Sequence, residues 1–298
     1  MPELPEIERL RLDLLPVLCG ATVTNVRVYR RDIIIGPSRS QNLLRGSTIT
    51  NIDRCGKELA LIAGSQRAIT IHLGMSGQLL HLPPHTQAPN STHIHVIWTL
   101  TSKKTTPLGR LIFRDPRRFG GIHTFRARHD LYESRWAGKG PDALTITAKT
   151  LSQRITRSQR AIKSALLDQS VLAGVGNIYA DEALFRAHID PARLCTSLTH
   201  DEYLRLTRAL RAILRAAITS GGSTIRDYRT LRDQPGSFQS KHQVYARAGK
   251  PCIRCKAILI GRTIAQRTTV HCPVCQPSNG AMNSTSLSGK ERKKSLSS

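Results

Sequence analysis

The segment QSVLAGVGNIYADEALF, residues 169–185, decides how the second half of this chain folds. Gly174 and Gly176 permit a close turn, and the apolar spacing after them predicts a helix that begins at once. Such a helix points its first N–H groups away from itself, so the turn and the Asn177 amide predict a phosphate-binding site. Taken alone, the turn is more often an ordinary connection between two helices, and it is the net charge of +25 that favours the phosphate site.

The sequence on both sides of this turn is helical in pattern from residue 150 onward. Apolar spacing predicts four helices, over Leu151–Thr156, Ile162–Leu167, Ile178–Ala187 and Thr199–Thr219. The last is the best defined, because Thr199 and Glu202 form a capping box at its start and two glycines follow its end. We therefore predict a helical domain over residues 150–222.

The first half of the chain has a different pattern. Helical spacing covers Leu4–Leu15, and Pro16 should end that helix or lie just past it. Strands are then predicted over Thr22–Val28, Leu59–Ala63, Ala68–Leu73, Ile94–Leu100 and Arg110–Phe113. The chain is therefore expected to be an α+β multidomain protein, with a β-sandwich and a flanking helix over residues 1–127 and a linker over residues 128–149.

The charge of the chain points to a polyanionic partner. Its 298 residues include 45 Lys and Arg against 20 Asp and Glu, a formal net charge of +25 that is spread along the sequence. Nucleic acid is the leading candidate partner, and a ribosome or an anionic membrane surface is the alternative. No apolar run is long enough for a membrane span and no secretion signal opens the chain, so we expect a cytoplasmic protein.

Four cysteines near the C-terminus have the spacing of a metal site. CIRC and CPVC are separated by sixteen residues, and they supply Cys252, Cys255, Cys272 and Cys275. Two such knuckles close a tetrahedron around one structural Zn²⁺ with no open position, which argues against a catalytic metal. Redox pairing of the cysteines is the alternative. A β-hairpin that carries Arg262 and Arg267 is predicted between the knuckles.

Two basic motifs lie where predicted strands turn. HLGMSG (72–77) contributes Met75, and FRDPRRFG (113–120) contributes Arg117 and Phe119. Exposed together, these side chains could enter a base stack and fill the gap left by an extruded base. Met75 and Phe119 could instead belong to the core. Lys57, at the start of an apolar strand, is a candidate phosphate or proton-transfer group, or a plain surface lysine.

The motifs MPELPE, GKELAL, HLGMSG, DPRRFG, GVGNIYADEALF and the paired CxxC knuckles occur in an order that resembles the formamidopyrimidine-DNA glycosylase and endonuclease VIII family. The resemblance covers Met1 to Gln276, and Leu4 favours the formamidopyrimidine branch. It implies a monomer with damaged duplex DNA in a cleft between a β-sandwich and a helix-two-turn-helix domain. It also implies a loop over the base pocket (223–245) and a zinc finger (246–276), leaving residues 277–298 as a disordered basic tail.

The resemblance further implies roles for individual residues. Pro2 would be the nucleophile, Glu3 the acid that assists opening of the sugar ring, and Glu6 a supporting group. Lys57 would donate a proton during elimination, and Arg267 would contact a phosphate and assist the second elimination. DNA contacts are implied for Met75, Arg117 and Phe119 in the void of the duplex, for His93 and Asn177 at phosphates, and loosely for Arg157.

The chemistry implied is that of a bifunctional DNA glycosylase and abasic-site lyase that removes oxidised purines. If Met1 is removed, Pro2 becomes a secondary amine that can form a Schiff base with the sugar. Two other functions stay open: a zinc protein that binds lesions or bent DNA without cutting, and a glycosylase for oxidised pyrimidines. The chain departs from the family pattern at Ala246, where glycine is usual, and at Val270-His271, where an aromatic pair is usual.

Overall fold

The computed structural model describes residues 1–36, 43–87, 92–103 and 105–278. The predicted tail therefore lies outside the described residues from position 279 onward. Within the described parts of the chain, no helix is both long and apolar enough to cross a membrane.

The N-terminal half contains nine strands among the described residues. They are β1 Thr22–Val28, β2 Ile34–Ile35, β3 Ile49–Cys55, β4 Glu58–Ala63, β5 Ala68–His72, β6 Gln78–Leu82, β7 Ile94–Thr101, β8 Pro107–Arg114 and β9 Gly121–Phe125. They form a four-stranded sheet in the order β1-β7-β8-β6 and a five-stranded sheet in the order β2-β9-β5-β4-β3. The predicted β-sandwich is confirmed, and it includes four strands (β2, β3, β6 and β9) that the sequence pattern did not reveal.

Helix α1, Leu4–Leu18, connects the two halves of the molecule. Its residues Ile7, Leu10 and Leu14 are buried in the core of the sandwich. Leu4, at the other end of the same stripe, is buried in the core of the helical half. The first residues of the chain are thereby held at the junction of the two cores.

The prediction that Pro16 ends this helix or lies just past it is wrong, because α1 continues to Leu18. Proline lacks the N–H that would bond to the carbonyl of Leu12, four residues earlier. Leu12 and Pro16 both lie on the exposed face of the last turns, where water can reach that carbonyl. The lost hydrogen bond therefore costs little there.

The segment predicted as a linker is partly packed. Helix α2, Arg128–Asp130, continues into a π-helical turn at Leu131–Trp136. The indole of Trp136 is buried against the five-stranded sheet and donates a hydrogen bond to Glu58 Oε2 at 2.8 Å. The chain then crosses to the helical half near Asp142, whose carboxylate pairs with Arg54 of β3 at 2.7 Å.

The C-terminal half contains the four predicted helices: α3 Ala148–Ile155, α4 Ile162–Leu167, α5 Asn177–Ala187 and α6 His200–Thr219. The capping box of α6 is present, since Thr199 Oγ1 accepts the N–H of Glu202 and the Glu202 carboxylate accepts the N–H of Thr199. The apolar side of α6 packs on α1, α3 and α5.

The stretch after α6 has more order than its sequence suggests. Tyr228, Leu231 and Phe238 are buried, and a short 3-10 helix spans Phe238–Lys241. The carboxylate of Glu182, on α5, then accepts three successive N–H groups at 2.9–3.0 Å, those of residues 243–245. This contact fixes the start of the last unit, whose hairpin is β10 Ile260–Ile264 and β11 Arg267–His271.

Candidate active site and metal centre

A cleft of about 760 Å³ lies where the chain start, the β3–β4 turn, the start of α5 and the β10–β11 hairpin meet. Seven of the residues singled out in the sequence line it: Pro2, Glu3, Lys57, Met75, Arg117, Asn177 and Arg267. They come from positions up to 265 residues apart, and the fold gathers them around the first residues of the chain. Pro2 is buried, whereas Met1 before it is 55% exposed.

The carboxylate of Glu3 is held by the first N–H groups of α5. Its Oε2 accepts the N–H of Gly176 at 2.7 Å, and its Oε1 accepts that of Ile178 at 2.9 Å. The positive end of the helix dipole favours a negative group at this place. Burial raises the pKa of Glu3, while nearby Lys57 and the N–H donors oppose that rise.

The backbone N–H groups of Gly176 and Ile178, expected to bind a phosphate, instead hold Glu3, while the phosphate contact expected of the Asn177 amide stays a prediction. The two glycines are needed for close packing on the chain start. A Cβ on Gly176 would lie 2.3 Å from the Glu3 carboxyl carbon, and one on Gly174, whose φ is +108°, would lie 2.3 Å from Leu4 Cδ1. The N–H of Leu4 also donates to the carbonyl of Gly174 at 3.0 Å. The turn therefore orients the chain start.

Glu6 lies behind the cleft and connects the chain start to the loop after α6. Its carboxylate accepts hydrogen bonds from the Glu3 N–H at 2.8 Å, the Tyr179 hydroxyl at 2.6 Å and the Ser223 N–H at 2.7 Å. The Ser223 hydroxyl in turn lies 3.0 Å from Nε2 of His242. Burial raises the pKa of Glu6 to about 7, so this buried carboxyl is partly protonated at neutral pH.

Lys57 lies in the β3–β4 turn, whose Gly56 has a φ of +57° and packs against the backbone of Gly174. Burial lowers the pKa of the Lys57 ammonium, and the carboxylates of Glu3 and Glu6 oppose that shift. The neighbouring Arg267 lowers it further. A lysine with a lowered pKa, beside a buried carboxyl, gives up its proton more readily than a surface lysine and is suited to proton transfer.

The two basic motifs converge at one rim of the cleft. Asp115, which is fully buried, accepts the hydroxyl of Ser76 and the N–H of Gly120 at 2.7 Å, and so joins the turns that carry Met75 and Phe119. Met75 is 41% exposed and Phe119 is 52% exposed, so neither belongs to the core.

Arg117 lies at the same rim, next to Phe119. Its guanidinium lies 5.5 Å from the centre of the Phe119 ring and pairs with Asp227 at 2.9 Å. Because Asp227 follows α6, this ion pair attaches the loop after α6 to the rim.

The predicted phosphate-contact residues occupy different places. Asn177, the first residue of α5, donates its amide to the carbonyl of Thr268 at 2.9 Å and so attaches the hairpin to the helix. Arg267 is exposed on the hairpin beside the cleft, while His93 and Arg157 are exposed outside the cleft lining. The structure thus brings Asn177 and Arg267 to the chain start and leaves the other two apart from it.

The four cysteines form a compact cluster. All four Sγ atoms lie within 4.8 Å of one another, with Cys252 and Cys275 separated by 3.9 Å and Cys255 and Cys272 by 3.4 Å. A tetrahedral Zn²⁺ with Zn–S bonds of about 2.3 Å requires sulfurs about 3.8 Å apart, so the cluster fits a metal ion. The sulfurs fill all four corners and leave no position for a substrate.

Several residues that organise the site were not recognisable from the sequence. Asp115, Tyr179 and Ser223 act through partners between 39 and 217 residues away. The only local signal was the aspartate at the start of DPRRFG, since aspartate commonly accepts backbone N–H groups in turns.

Comparison with known proteins agrees with this architecture. The family model "Formamidopyrimidine-DNA glycosylase N-terminal domain" matches residues 1–122, and "Formamidopyrimidine-DNA glycosylase H2TH domain" matches residues 137–229. Among similar sequences, the formamidopyrimidine-DNA glycosylase of Thermomicrobium roseum is 43% identical, covering 93% of this chain and 99% of its own. That of Carboxydothermus hydrogenoformans is 38% identical and covers 93% and 100%.

Solved structures show the same similarity. The Thermus thermophilus MutM (Fpg) protein superposes with a TM-score of 0.79 at 38% identity, covering 92% of this chain and 98% of that one. A Lactococcus lactis Fpg mutant bound to DNA containing Fapy-dG superposes with a TM-score of 0.83 at 31% identity, covering 93% and 100%. The wild-type Lactococcus lactis protein, with a TM-score of 0.82, 29% identity and coverage of 93% and 100%, is bound to DNA containing an oxidised pyrimidine.

Proposed function

The chain belongs to the formamidopyrimidine-DNA glycosylase family, and on that premise we propose that it is a bifunctional enzyme of base excision repair. It removes oxidised purines, such as 8-oxoguanine and formamidopyrimidines, from duplex DNA. It then cuts the strand at the abasic site by β,δ-elimination. One observation carries this proposal. The N–H groups at the start of α5 bind the Glu3 carboxylate, and the adjacent Pro2 is thereby held at the wall of the cleft.

Pro2 is the proposed nucleophile. Removal of Met1 would give Pro2 a free secondary amine, and an α-amino group with a pKa near 7.7–8.0 is roughly a tenth unprotonated at neutral pH. The nitrogen forms a bond to C1′ of the damaged nucleotide as the bond from C1′ to the base breaks. Cleavage of the C1′–O4′ bond, with O4′ taking up a proton from Glu3, then opens the sugar ring and leaves an iminium at C1′. The iminium withdraws electrons, so the C2′ proton is lost and the 3′ phosphate leaves, and a second elimination releases the 5′ phosphate.

Glu3 and Lys57 are the proposed proton carriers. Burial raises the pKa of Glu3, which favours the protonated acid needed to assist sugar-ring opening. Lys57 has a lowered pKa, so its proton is more readily donated during elimination. Glu6 supports Glu3 by accepting its N–H. Arg267 lines the same cleft and is the proposed assistant of the second elimination.

The remaining residues are proposed to hold damaged double-stranded DNA. Met75, Arg117 and Phe119 form an exposed rim that can fill the void left by an extruded base. His93, Asn177, Arg157 and Arg267 are the proposed phosphate contacts. The side chains are cationic or polar, as a backbone contact requires.

One structural Zn²⁺ is proposed for the cluster of cysteines Cys252, Cys255, Cys272 and Cys275, and no catalytic metal or organic cofactor is needed for the reaction. The ion would cross-link the two knuckles and so fix the hairpin that carries Arg267. We also propose that the chain acts as a monomer inside the cell. Its units are the sandwich (1–127), a connection (128–149), the helix-two-turn-helix domain (150–222), the loop over the base pocket (223–245) and the finger (246–276).

One experiment tests this proposal against two other functions, those of a DNA-binding protein without activity and of a glycosylase for oxidised pyrimidines. The purified protein is incubated with duplexes that contain 8-oxoguanine opposite cytosine, an oxidised pyrimidine, or no lesion. Excision of 8-oxoguanine with both 5′- and 3′-phosphate ends supports the proposal. Faster excision of the oxidised pyrimidine would assign the chain to that substrate class. The Lactococcus lactis relative, which is bound to DNA containing an oxidised pyrimidine, is the observation that favours this alternative. Binding without excision of any lesion identifies a silent binder.

A further inference from the structure

The outer face of α6 carries a row of arginines that the cleft does not use. Arg208, Arg211 and Arg215 lie at spacings of three and four residues, so they share one face of this 20-residue helix. Arg208 and Arg215 are exposed and Arg211 is half-buried. With a rise of about 1.5 Å per residue, the row extends about 10 Å along the helix axis.

These arginines have no acidic partner in the described part of the chain. None of the three forms an ion pair or a side-chain hydrogen bond there. The other nearby arginine, Arg205, does have partners, because it lies 3.8 Å from the Glu202 carboxylate and donates to the carbonyl of Ala187. The unpaired guanidinium groups are therefore available to an external anion.

The row lies on a different surface from the active-site cleft. None of its members lines the cleft, and the opposite face of α6 is buried against α1, α3 and α5. Duplex DNA held in the cleft would contact the start of α5 and the hairpin, so the row would remain open to a second molecule.

The chemistry of this face suits a phosphate backbone better than a protein. No large apolar side chain is exposed on α6 in the described structure, whereas protein interfaces depend on buried aromatic or aliphatic anchors. Arginine presents several donors in a plane that matches phosphate oxygens. The strongly positive chain also attracts polyanions as a whole.

We infer that the outer face of α6, defined by Arg208, Arg211 and Arg215, binds the phosphate backbone of a second DNA duplex. One molecule can then hold two DNA segments at once, which would let it pass between segments without complete release. This inference goes beyond the proposed repair reaction and does not depend on which lesion is removed.

The test measures whether one protein molecule brings two duplexes together. Donor-labelled and acceptor-labelled lesion-free duplexes are mixed with the full-length, zinc-loaded protein, at concentrations where sedimentation shows a monomer. Energy transfer between the labels is expected for the wild type. In the triple variant Arg208→Gln/Arg211→Gln/Arg215→Gln, capture of the second duplex should weaken by about two orders of magnitude at 0.1 M salt. The slope of log affinity for the second duplex against log salt concentration should become shallower by about 3, because three phosphate contacts are lost and each contributes about 0.9.

A matched control removes the same charge elsewhere. Arg31, Arg45 and Arg126 are exposed arginines of the sandwich half that lie outside the cleft lining. Their triple substitution to Gln should leave second-duplex capture within about threefold of wild type, and both triple variants should keep wild-type affinity for a single duplex in the cleft.

Three results would overturn the inference. These are an absence of energy transfer in the wild type, an equal loss in both triple variants, and energy transfer that follows dimer formation. Poly-glutamate that competes for the second site as strongly as DNA of equal charge would assign the face to an acidic protein instead.

Discussion

The buried ion pair between Lys163 and Asp181 should determine whether the finger stays docked on the helical half. The ammonium of Lys163 lies 2.6 Å from Asp181 Oδ1, and both side chains are fully buried. Lys163 also donates to Thr269 Oγ1 at 2.7 Å, and Asp181 Oδ2 accepts the N–H of Val270 at 3.1 Å. The pair thus joins α4 and α5 to β11, the strand that begins with Arg267.

Replacing Lys163 by Met leaves Asp181 as an isolated buried carboxylate. That carboxyl can escape the penalty by taking up a proton, which at pH 7 costs about 4 kcal/mol for a group of pKa near 3.9. Loss of the bond to Thr269 adds about 1 kcal/mol. We expect the free energy of unfolding to fall by about 3–5 kcal/mol, as for other buried pairs that lose one partner. The double variant Lys163→Met/Asp181→Asn should recover most of this loss.

The sign of the pH dependence distinguishes a stranded charge from a simple packing defect. Burial already raises the pKa of Asp181 to about 6 and lowers the pKa of Lys163. In Lys163→Met the folded chain binds a proton at Asp181 more tightly than the unfolded chain does. The loss of unfolding free energy in this variant should therefore become smaller as pH falls from 7 to 5. In Asp181→Asn the buried Lys163 has no carboxylate partner and loses its proton more easily than in the unfolded chain. The loss of unfolding free energy in this variant should therefore become smaller as pH rises from 7 to 9.

Urea unfolding at pH 5, 7 and 9 measures both effects. Arg160→Met is the control, because Arg160 forms an exposed pair with Asp168 at 2.8 Å and should contribute less than 1 kcal/mol. A Lys163→Met deficit below 1 kcal/mol at pH 7, or one that does not change with pH, would refute this reasoning.

Three smaller perturbations test other parts of the molecule. Cys272→Ser, or removal of the metal by a chelator, should lower the melting temperature and the DNA affinity together, because structural zinc contributes folding energy; full affinity without metal would contradict this. Ala246 has a φ of 58°, so Ala246→Gly should raise the unfolding free energy by about 1 kcal/mol, and no gain in urea would count against strain there. Burial lowers the pKa of His242 from 6.5 to about 4, so the unfolded chain binds more protons and stability rises with pH across that window. His242→Gln should flatten this rise, and an unchanged pH profile would exclude His242 as its source.

Local patterns in the sequence predicted much of the fold. The capping box and periodic apolar stripe of α6, the alternation in the sequence of β1 and the spacing of the cysteines each depend on residues close together in the chain. The helix, the strand and the cysteine cluster that they predicted are all present. By contrast, β6 is short, and β3 mixes polar and apolar residues, so neither has a clear period of its own.

The sequence indicated which residues belong to the site but not which hydrogen bonds and ion pairs join them. The motifs indicated Glu3 and the glycine turn separately, yet Glu3 accepts N–H groups 173 and 175 residues away, which no local pattern encodes. Lys163 lies in AIKSALL, where a lysine would ordinarily face solvent, and only the packing of α4, α5 and β11 shows that it is buried. Such pairings depend on tertiary packing, so they became visible only in the folded chain.

The most direct test of the proposed chemistry is borohydride trapping on a duplex that contains 8-oxoguanine opposite cytosine, combined with N-terminal sequencing of the purified protein. A covalent adduct at Pro2 on chains that have lost Met1, absent in Pro2→Gly although that variant still binds DNA, is the predicted result. The lack of any adduct on chains that start at Pro2, with this duplex and with an abasic-site duplex, would contradict it.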